Sequence, residues 1–224
     1  MEVLVTGGDT DLGCVIAQGF KDAGHRVVMS GARREDLEVN AKELDVDAVV
    51  CDPIDPVSLA EAVPLLPHNL DSIVNVPAPS FDAGNWRAYT LAERASVWRN
   101  NLDATVLAAV LMVNAVGDHM RSGGSIVSVV PDNPREGSAE SAVKAALSDW
   151  TAGQATYFGT RGITVNTVAA GRGVEPGYDG VRTGIPVSGA AEISRLTLFL
   201  TTPAARHITG QTLHVSHAAL ANFS

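Results

Sequence analysis

Residues 6–13 read Thr-Gly-Gly-Asp-Thr-Asp-Leu-Gly, between an apolar run that starts at Val3 and a helical pattern that starts near Asp11. Glycines at such a place allow a tight turn and let a diphosphate approach the backbone. The free N–H groups at the start of the following helix supply a positive pole. Any strand-to-helix turn can be rich in glycine, so the motif alone is weak evidence. It predicts a nucleotide-binding turn after the first strand.

Short β-branched runs alternate with longer helical patterns along the rest of the chain. This alternation predicts a parallel sheet with right-handed crossovers and helices on both faces. Because the strands are continuous apolar runs, we expect them to be buried from both sides. Strands are predicted at Val3 to Thr6, Arg26 to Ser30, Ala48 to Cys51, Ser72 to Val76, Ser125 to Val130, Thr164 to Val168 and Thr212 to Val215. Helices are predicted to begin near Asp11, Arg34, Pro56, Leu91, Ser138 and Ser188, with the longest from Leu91 to Met120.

Size and composition fit one α/β domain, and we predict a single domain over residues 1–224. The net charge of -9 is spread along the chain without a basic cluster, which argues against a nucleic-acid partner. The most apolar run, Leu107 to Val116, is about half a membrane span, so we predict no membrane partner.

The thiols and imidazoles show no ligand pattern. Cys14 and Cys51 have neither metal nor redox spacing, and the six histidines have no ligand spacing either. We therefore predict no metal site and a reducing, cytoplasmic location.

Further motifs complete a resemblance to the short-chain dehydrogenase/reductase family. Residues 6–13 resemble its Thr-Gly-x-x-x-Gly-Leu-Gly, with Asp11 at the middle glycine. Residues 161–171 resemble Arg-Gly-Ile-x-Val-Asn-x-Val-x-Pro-Gly, with Ala170 at the proline, and residues 208–211 match its Ile-Thr-Gly-Gln. The resemblance covers the chain end to end. It implies a Rossmann-like doubly wound fold with a mostly seven-stranded parallel sheet, and NAD(P)-dependent oxidoreduction of a small carbonyl or alcohol.

The resemblance also implies a cofactor site. Its residues are Thr6, Gly7, Gly8, Asp11, Leu12, Gly13, Arg33, Asp52, Asn75 and Lys144. Two carboxylates stand in the loop, and a negative charge about 6 Å from a phosphate costs roughly 3 kcal/mol at an effective dielectric near 20. The carboxylates would then weaken dinucleotide binding. The alternative, which the capping preference of Asp favours for Asp11, is that Asp9 faces water and Asp11 caps the helix, with Thr10 as a second capping candidate.

Arginines follow the second strand, where an acidic residue would bind the ribose of NAD. Arg33 and Arg34 take that place, and an arginine there meets the 2'-phosphate of NADP. They favour NADP over NAD, where a cofactor is bound. The alternative is that two arginines at a helix start are only a solvated surface.

The resemblance places the chemistry on Asn101 and Lys144, which match the catalytic asparagine and lysine of the family. Asn100 is adjacent, so either asparagine could face outward. Where the family has its catalytic serine and tyrosine, this chain aligns Pro131 and Glu140. Proline offers no donor.

Glu140 has two interpretations. In the first, Glu140 lies four residues before Lys144 and forms an ordinary helix ion pair, which stabilises a helix by about 0.2–0.5 kcal/mol. Alternatively, it is a carboxyl group that holds a proton near neutrality and serves as an unorthodox donor. Losing a placed general acid costs on the order of 100- to 10,000-fold in rate.

Three functions are therefore consistent with the sequence. The first is an NAD(P)-dependent oxidoreductase that uses Asn101, Lys144 and an unorthodox donor. The second is a non-catalytic dinucleotide-binding sensor or silent subunit, and the third is a cofactor-free interaction protein. The resemblance also implies a homo-oligomer, a dimer or tetramer.

Overall fold

The computed structural model describes residues 1–78, 89–130, 139–170 and 189–215. Seven strands form one parallel sheet in the order β3-β2-β1-β4-β5-β6-β7, which confirms the predicted α/β doubly wound fold. The strands are β1 (Glu2–Val5), β2 (Arg26–Gly31), β3 (Asp47–Val50), β4 (Leu70–Asn75), β5 (Met120–Val130), β6 (Thr164–Ala170) and β7 (Thr212–Val215).

Seven α-helices join and cover the strands within the described residues. They are α1 (Asp11–Asp22), α2 (Arg34–Leu44), α3 (Pro56–Ala62), α4 (Leu91–Asn101), α5 (Ala108–Val116), α6 (Ala139–Gly159) and α7 (Gly189–Leu200). Short 3₁₀ segments lie at Val63–Leu65, Gly117–His119 and Pro203–Ala205, and a π-helical segment lies at Leu102–Leu107.

The sheet separates two apolar cores. Successive side chains of a strand point to opposite faces, so Val3 and Val5 join one core while Leu4 joins the other. The first core includes residues of α1 and α7, such as Ile16 and Ile193. The second includes residues of α3 and α5, such as Leu59, Met112 and Val116. Helices thus cover both faces, as predicted.

The longest predicted helix is interrupted. Where the sequence predicted one helix from Leu91 to Met120, α4 gives way to the π-helical segment, then to α5, and Met120 already begins β5. The stretch Leu91–His119 is long and apolar enough to cross a membrane by length and composition alone. It connects β4 to β5, however, which are neighbours in one sheet, and α5 is buried against that sheet. In this fold it is a crossover.

Candidate functional site

A cleft lies at the carboxyl ends of β1, β4 and β5. The chain leaves β1 toward β2 on one side and leaves β4 toward β5 on the other, so β1 and β4 flank a switch point of the sheet. Ligands of doubly wound proteins bind at such a point. The walls include residues of the β1–α1 loop, the end of β4 and β5, and the α5 side: Thr6, Gly7, Asn75, Val76, Ser128, Thr105 and Ala108.

Two glycines give the β1–α1 loop its shape. Gly7 has a φ of 61°, and a Cβ atom there would lie 2.3 Å from the carbonyl oxygen of Val76. A Cβ atom on Gly13 would lie 2.0 Å from the carbonyl oxygen of Gly7. Real contacts of this kind do not exist, so no larger residue fits either position. The Val76 N–H donates to Thr6 Oγ1 at 2.9 Å and joins the loop to the end of β4.

Thr10, not Asp11, caps α1. The Gly13 N–H donates to Thr10 Oγ1 at 3.0 Å, and Thr10 has the extended backbone of an N-cap residue. The prediction that Asp11 caps the helix is wrong because Asp11 is already the first helical residue. Asp11 is exposed, and its carboxylate lies in the first turn, where the helix dipole favours negative charge. Leu12 is half-buried and packs against the first core.

Asp9 does not face water, contrary to the prediction. It is buried, and its Oδ2 accepts hydrogen bonds of 3.1 Å from both the backbone N–H and Nε of Arg33. Arg33 Nε also lies 3.3 Å from Asp36 Oδ2, whereas Arg34 forms an exposed pair with Glu38. The attraction to Arg33 offsets part of the free energy that is lost when the Asp9 carboxylate is removed from water. Arg33 therefore lies at the predicted place but is already paired with two carboxylates.

Asp52 and Asn75 both lie at the carboxyl end of a strand, β3 and β4 respectively, and Asn75 lines the cleft whereas Asp52 does not. Asp52 follows β3, and its carboxylate accepts from the Ile54 N–H at 3.1 Å. Asn75 ends β4, is buried, lines the cleft, and its Nδ2 donates to Ser128 Oγ at 3.3 Å. Within the described chain, Asn75 Oδ1 is buried without a hydrogen-bond partner.

Asn101 is the inward-facing asparagine of its pair. It is buried while Asn100 is exposed, and its Nδ2 donates to the Val97 carbonyl oxygen at 2.8 Å. The π-helical segment begins at the next residue, so the regular α-helical hydrogen bonding changes at Asn101. Such widening of a helix is frequent at functional sites. Thr105, in this segment, lines the cleft, so Asn101 lies one turn from it.

Glu140 and Lys144 occupy the first two turns of α6, and both side chains are half-buried. In the part of the chain that the structure describes, they form no ion pair with each other, so the predicted pairing is wrong. The charge of Lys144 instead affects His214 in β7. Burial is the larger cause and the Lys144 charge the smaller cause of the lowered pKa of His214. Pro131 lies outside the described residues.

Sequence reasoning missed three polar groups that the structure brings to the cleft. Asp9, Thr105 and Ser128 are all buried and line it. The available signal for Ser128 was a polar residue inside an apolar strand. Asp9 and Thr105 gave no comparable signal, because the loop path and the π-helical widening decide where they point.

The cleft offers a ligand both a glycine-rich turn and buried polar groups. Gly7 and Gly13 let the β1–α1 loop pack tightly against the end of β4 and against the start of α1, beside the cleft. Two buried acceptors, Asp9 Oδ1 and Asn75 Oδ1, lack a protein donor among the described residues. A ligand with hydroxyl and amide donors would satisfy them. The fold and the loop together define the class of doubly wound, nucleotide-binding α/β proteins.

Comparison with known proteins agrees. A family model described as enoyl-(acyl carrier protein) reductase matches residues 9–217. A protein of Mycobacterium tuberculosis H37Rv, named "putative oxidoreductase", is 70% identical over 224 residues, which is 100% of both chains. The 3-oxoacyl-[acyl-carrier-protein] reductase of Escherichia coli K12 is 31% identical over 239 residues, covering 95% of this chain and 94% of that protein.

A solved structure gives the same assignment. The short-chain dehydrogenase of Burkholderia cenocepacia, in complex with NADP, superposes with a TM-score of 0.75 at 29% identity, covering 96% of this chain and 95% of that one. The chain belongs to the short-chain dehydrogenase/reductase family, whose members named here are oxidoreductases.

Proposed function

We propose that the chain binds a nicotinamide dinucleotide in the cleft and that ordinary carbonyl–alcohol hydride transfer there is slow. The observation that carries the binding is the pair of buried, unpartnered acceptors, Asp9 Oδ1 and Asn75 Oδ1, on residues that line the cleft beside the glycine-rich β1–α1 loop. The NADP in the Burkholderia structure supports the same ligand class. The residues that would hold it are those of the β1–α1 loop together with Asn75, Asp52 and Lys144.

The expected slowness follows from position 140. When bound, the nicotinamide supplies or accepts a hydride. The chain must then deliver a proton to the substrate oxygen, or take one from it. Glu140 stands where the family resemblance places a tyrosine, one turn before Lys144. An ionised carboxylate donates no proton and repels a developing alkoxide. A missing general acid lowers the rate on the order of 100- to 10,000-fold.

A second candidate keeps full catalysis and makes Glu140 the proton donor. One observation favours it: Glu140 is half-buried and unpaired with Lys144 in the described structure. The two candidates share the cofactor and differ only in what Glu140 does.

The observations on coenzyme preference favour different coenzymes. Arg33, at the start of α2, and the NADP of the Burkholderia structure support NADP, as the sequence suggests. The ion pair between Arg33 and Asp9 opposes it, because that arginine is already neutralised.

We further propose that the substrate is a small carbonyl or alcohol, that the protein acts in the cytoplasm without nucleic-acid or membrane partners, and that it forms a homo-oligomer. The oligomer is supported by apolar side chains left partly exposed along the π-helical segment: Leu102 at 37% and Leu107 at 38%. Sedimentation as a monomer at micromolar concentration would contradict it.

Binding is tested first, by titrating the protein with NADH and NADPH and following tryptophan fluorescence and heat. Saturable binding of at least one is expected. Heat and fluorescence that stay flat with both, for a protein shown to be folded, would favour the cofactor-free interaction protein and refute the proposal.

Glu140 is tested next, with Glu140→Gln and Glu140→Tyr assayed for coenzyme oxidation against a panel of small aldehydes and ketones. If hydride transfer is slow for want of a donor, Glu140→Gln changes it little and Glu140→Tyr raises it. A collapse of turnover in Glu140→Gln would instead establish the second candidate. Coenzyme affinity, measured in parallel, should be unchanged in Glu140→Gln, which separates chemistry from binding.

A further inference from the structure

Asp9 comes from the β1–α1 loop, but its carboxylate lies over the last residue of β2. A Cβ atom on Gly31 would lie 2.5 Å from Asp9 Oδ1, so the glycine leaves the room that the carboxylate fills. Asp9 lines the cleft and also an adjoining hollow of about 410 Å³, which contains Arg33 and Asp36. The carboxylate therefore stands at the end of β2, although β2 itself carries no acid there.

The two carboxylate oxygens of Asp9 differ in their hydrogen bonding. Oδ2 accepts from the backbone N–H and Nε of Arg33, each at 3.1 Å. Oδ1 is buried and has no donor among the described residues, and the side chain is 2% exposed. A buried acceptor without a donor is costly to the fold. The hydroxyl of a ligand in the adjoining space would supply the missing donor.

Arg33 is already paired at its Nε atom. Its Nε lies 3.1 Å from Asp9 Oδ2 and 3.3 Å from Asp36 Oδ2, so one cation faces two carboxylates. The local charge is negative. A phosphate group in this hollow would bring more negative charge and acceptors only, with no hydrogen for Asp9 Oδ1.

We propose that Asp9 makes this chain select NAD over NADP: its free oxygen accepts a hydrogen bond from the adenosine ribose, and its charge repels a 2'-phosphate. The inference rests on the proposed dinucleotide binding, and it reverses the preference that Arg33 suggests from sequence. One extra charge at a separation near 6 Å changes affinity on the order of 100-fold at an effective dielectric near 20. The preference for NADH over NADPH should have about this size.

The experiment compares NADH with NADPH, and 5'-AMP with adenosine 2',5'-bisphosphate, by calorimetry on the wild-type protein. The two adenosine probes carry only the half that Asp9 contacts, so they report on this residue independently of the nicotinamide side. Wild type should bind NADH on the order of 100-fold more tightly than NADPH, with the same order between the adenosine probes. Asp9→Asn keeps the size of the side chain and removes its charge, and should reduce the preference to less than about 10-fold.

Asp36→Asn is the matched control, because it removes a carboxylate from the same arginine at an exposed position. Its effect on the preference should be below about 3-fold, since charges in water are screened. Arg33→Gln is the complementary variant and should leave the preference for NADH in place. If Asp9→Asn fails to fold in a thermal melt, the wild-type probes and Arg33→Gln decide alone.

The outcomes separate this inference from the proposed function. Wild type that prefers NADPH, and loses that preference in Arg33→Gln, overturns the role of Asp9 and leaves dinucleotide binding standing. Folded wild type that binds neither coenzyme refutes dinucleotide binding itself, and the role of Asp9 falls with it.

Discussion

The two sides of the cleft are fixed by different physics. On the loop side, residues 6–13, two glycines, the Thr10 cap and the buried Asp9 hold the backbone through contacts that tolerate no change. On the helix side, Glu140 and Lys144 are half-buried residues of α6, and only Asn101, on α4, is buried and hydrogen-bonded to its own helix. Steric constraint preserves a binding surface, whereas the chemistry of a helix face can change at little cost to the fold. The difference explains why the loop resembles its family more closely than position 140 does.

The largest effect should come from the loop side. Gly7→Ala places a Cβ atom 2.3 Å from the Val76 carbonyl oxygen at a φ of 61°. Strain at positive φ and overpacking together predict a loss of about 3 kcal/mol or more in the free energy of unfolding. Urea denaturation followed by circular dichroism measures it. Gly153→Ala is the control: this helical glycine has nothing within 4 Å, so about 0.5–1 kcal/mol should be gained. Equal stabilities of the two variants would erase the contrast.

The next effect tests whether the helix side is as free as the comparison holds. Asn101→Ala removes a buried amide that donates to the Val97 carbonyl oxygen, and should cost about 1–2 kcal/mol in the free energy of unfolding. Asn100→Ala, at the exposed neighbour, should be neutral or slightly stabilising, because alanine is the better helix former. Both are measured by thermal and chemical unfolding. If Asn100→Ala were the more damaging variant, Asn101 would not be the structural residue of the pair.

Matched caps on the two sides give a smaller effect. Thr10 caps α1 on the loop side, and Thr90 caps α4 in a capping box with Glu93 on the helix side. Either threonine replaced by alanine should lose about 1 kcal/mol of stability. Only Thr10→Ala should also weaken coenzyme binding, because only that cap fixes the start of the helix that follows the β1–α1 loop. Unfolding and fluorescence titration of both variants provide the check, and equal loss of binding would disprove the distinction.

Much of the fold was predictable from sequence, because apolar strands that alternate with helical patterns predict a parallel sheet. The seven-stranded, doubly wound parallel sheet followed from the family resemblance and is confirmed. The site was less predictable. Whether Asp9 faces water or pairs with Arg33 depends on the path of a glycine-rich turn and on the missing side chain of Gly31, and neither leaves a periodic signal. The missing Glu140–Lys144 pair is similar: the spacing permits the contact, but the direction of each side chain is set by packing of α6 against β6 and β7.

The smallest expected effect concerns the Lys144 side chain on the helix side. The pKa of His214 reports whether that side chain points toward β7. Burial first, and Lys144 second, lower the pKa of His214 from its ordinary value of 6.5. A histidine with a lowered pKa favours the neutral form in the folded state. Its contribution to stability is therefore complete above the unfolded value and is lost as the pH falls through the folded pKa.

Lys144→Met should raise the pKa of His214 toward 6.5 without reaching it, because burial remains. A titration of the imidazole resonances by NMR measures the direction of the change. His25 serves as the internal control, since its pKa is lowered by burial and by the N-terminal amine and not by Lys144. A shift of His25 equal to that of His214 would mean a general structural change. An unmoved His214 would mean that the Lys144 side chain turns away from β7, into the cleft where the family resemblance puts it.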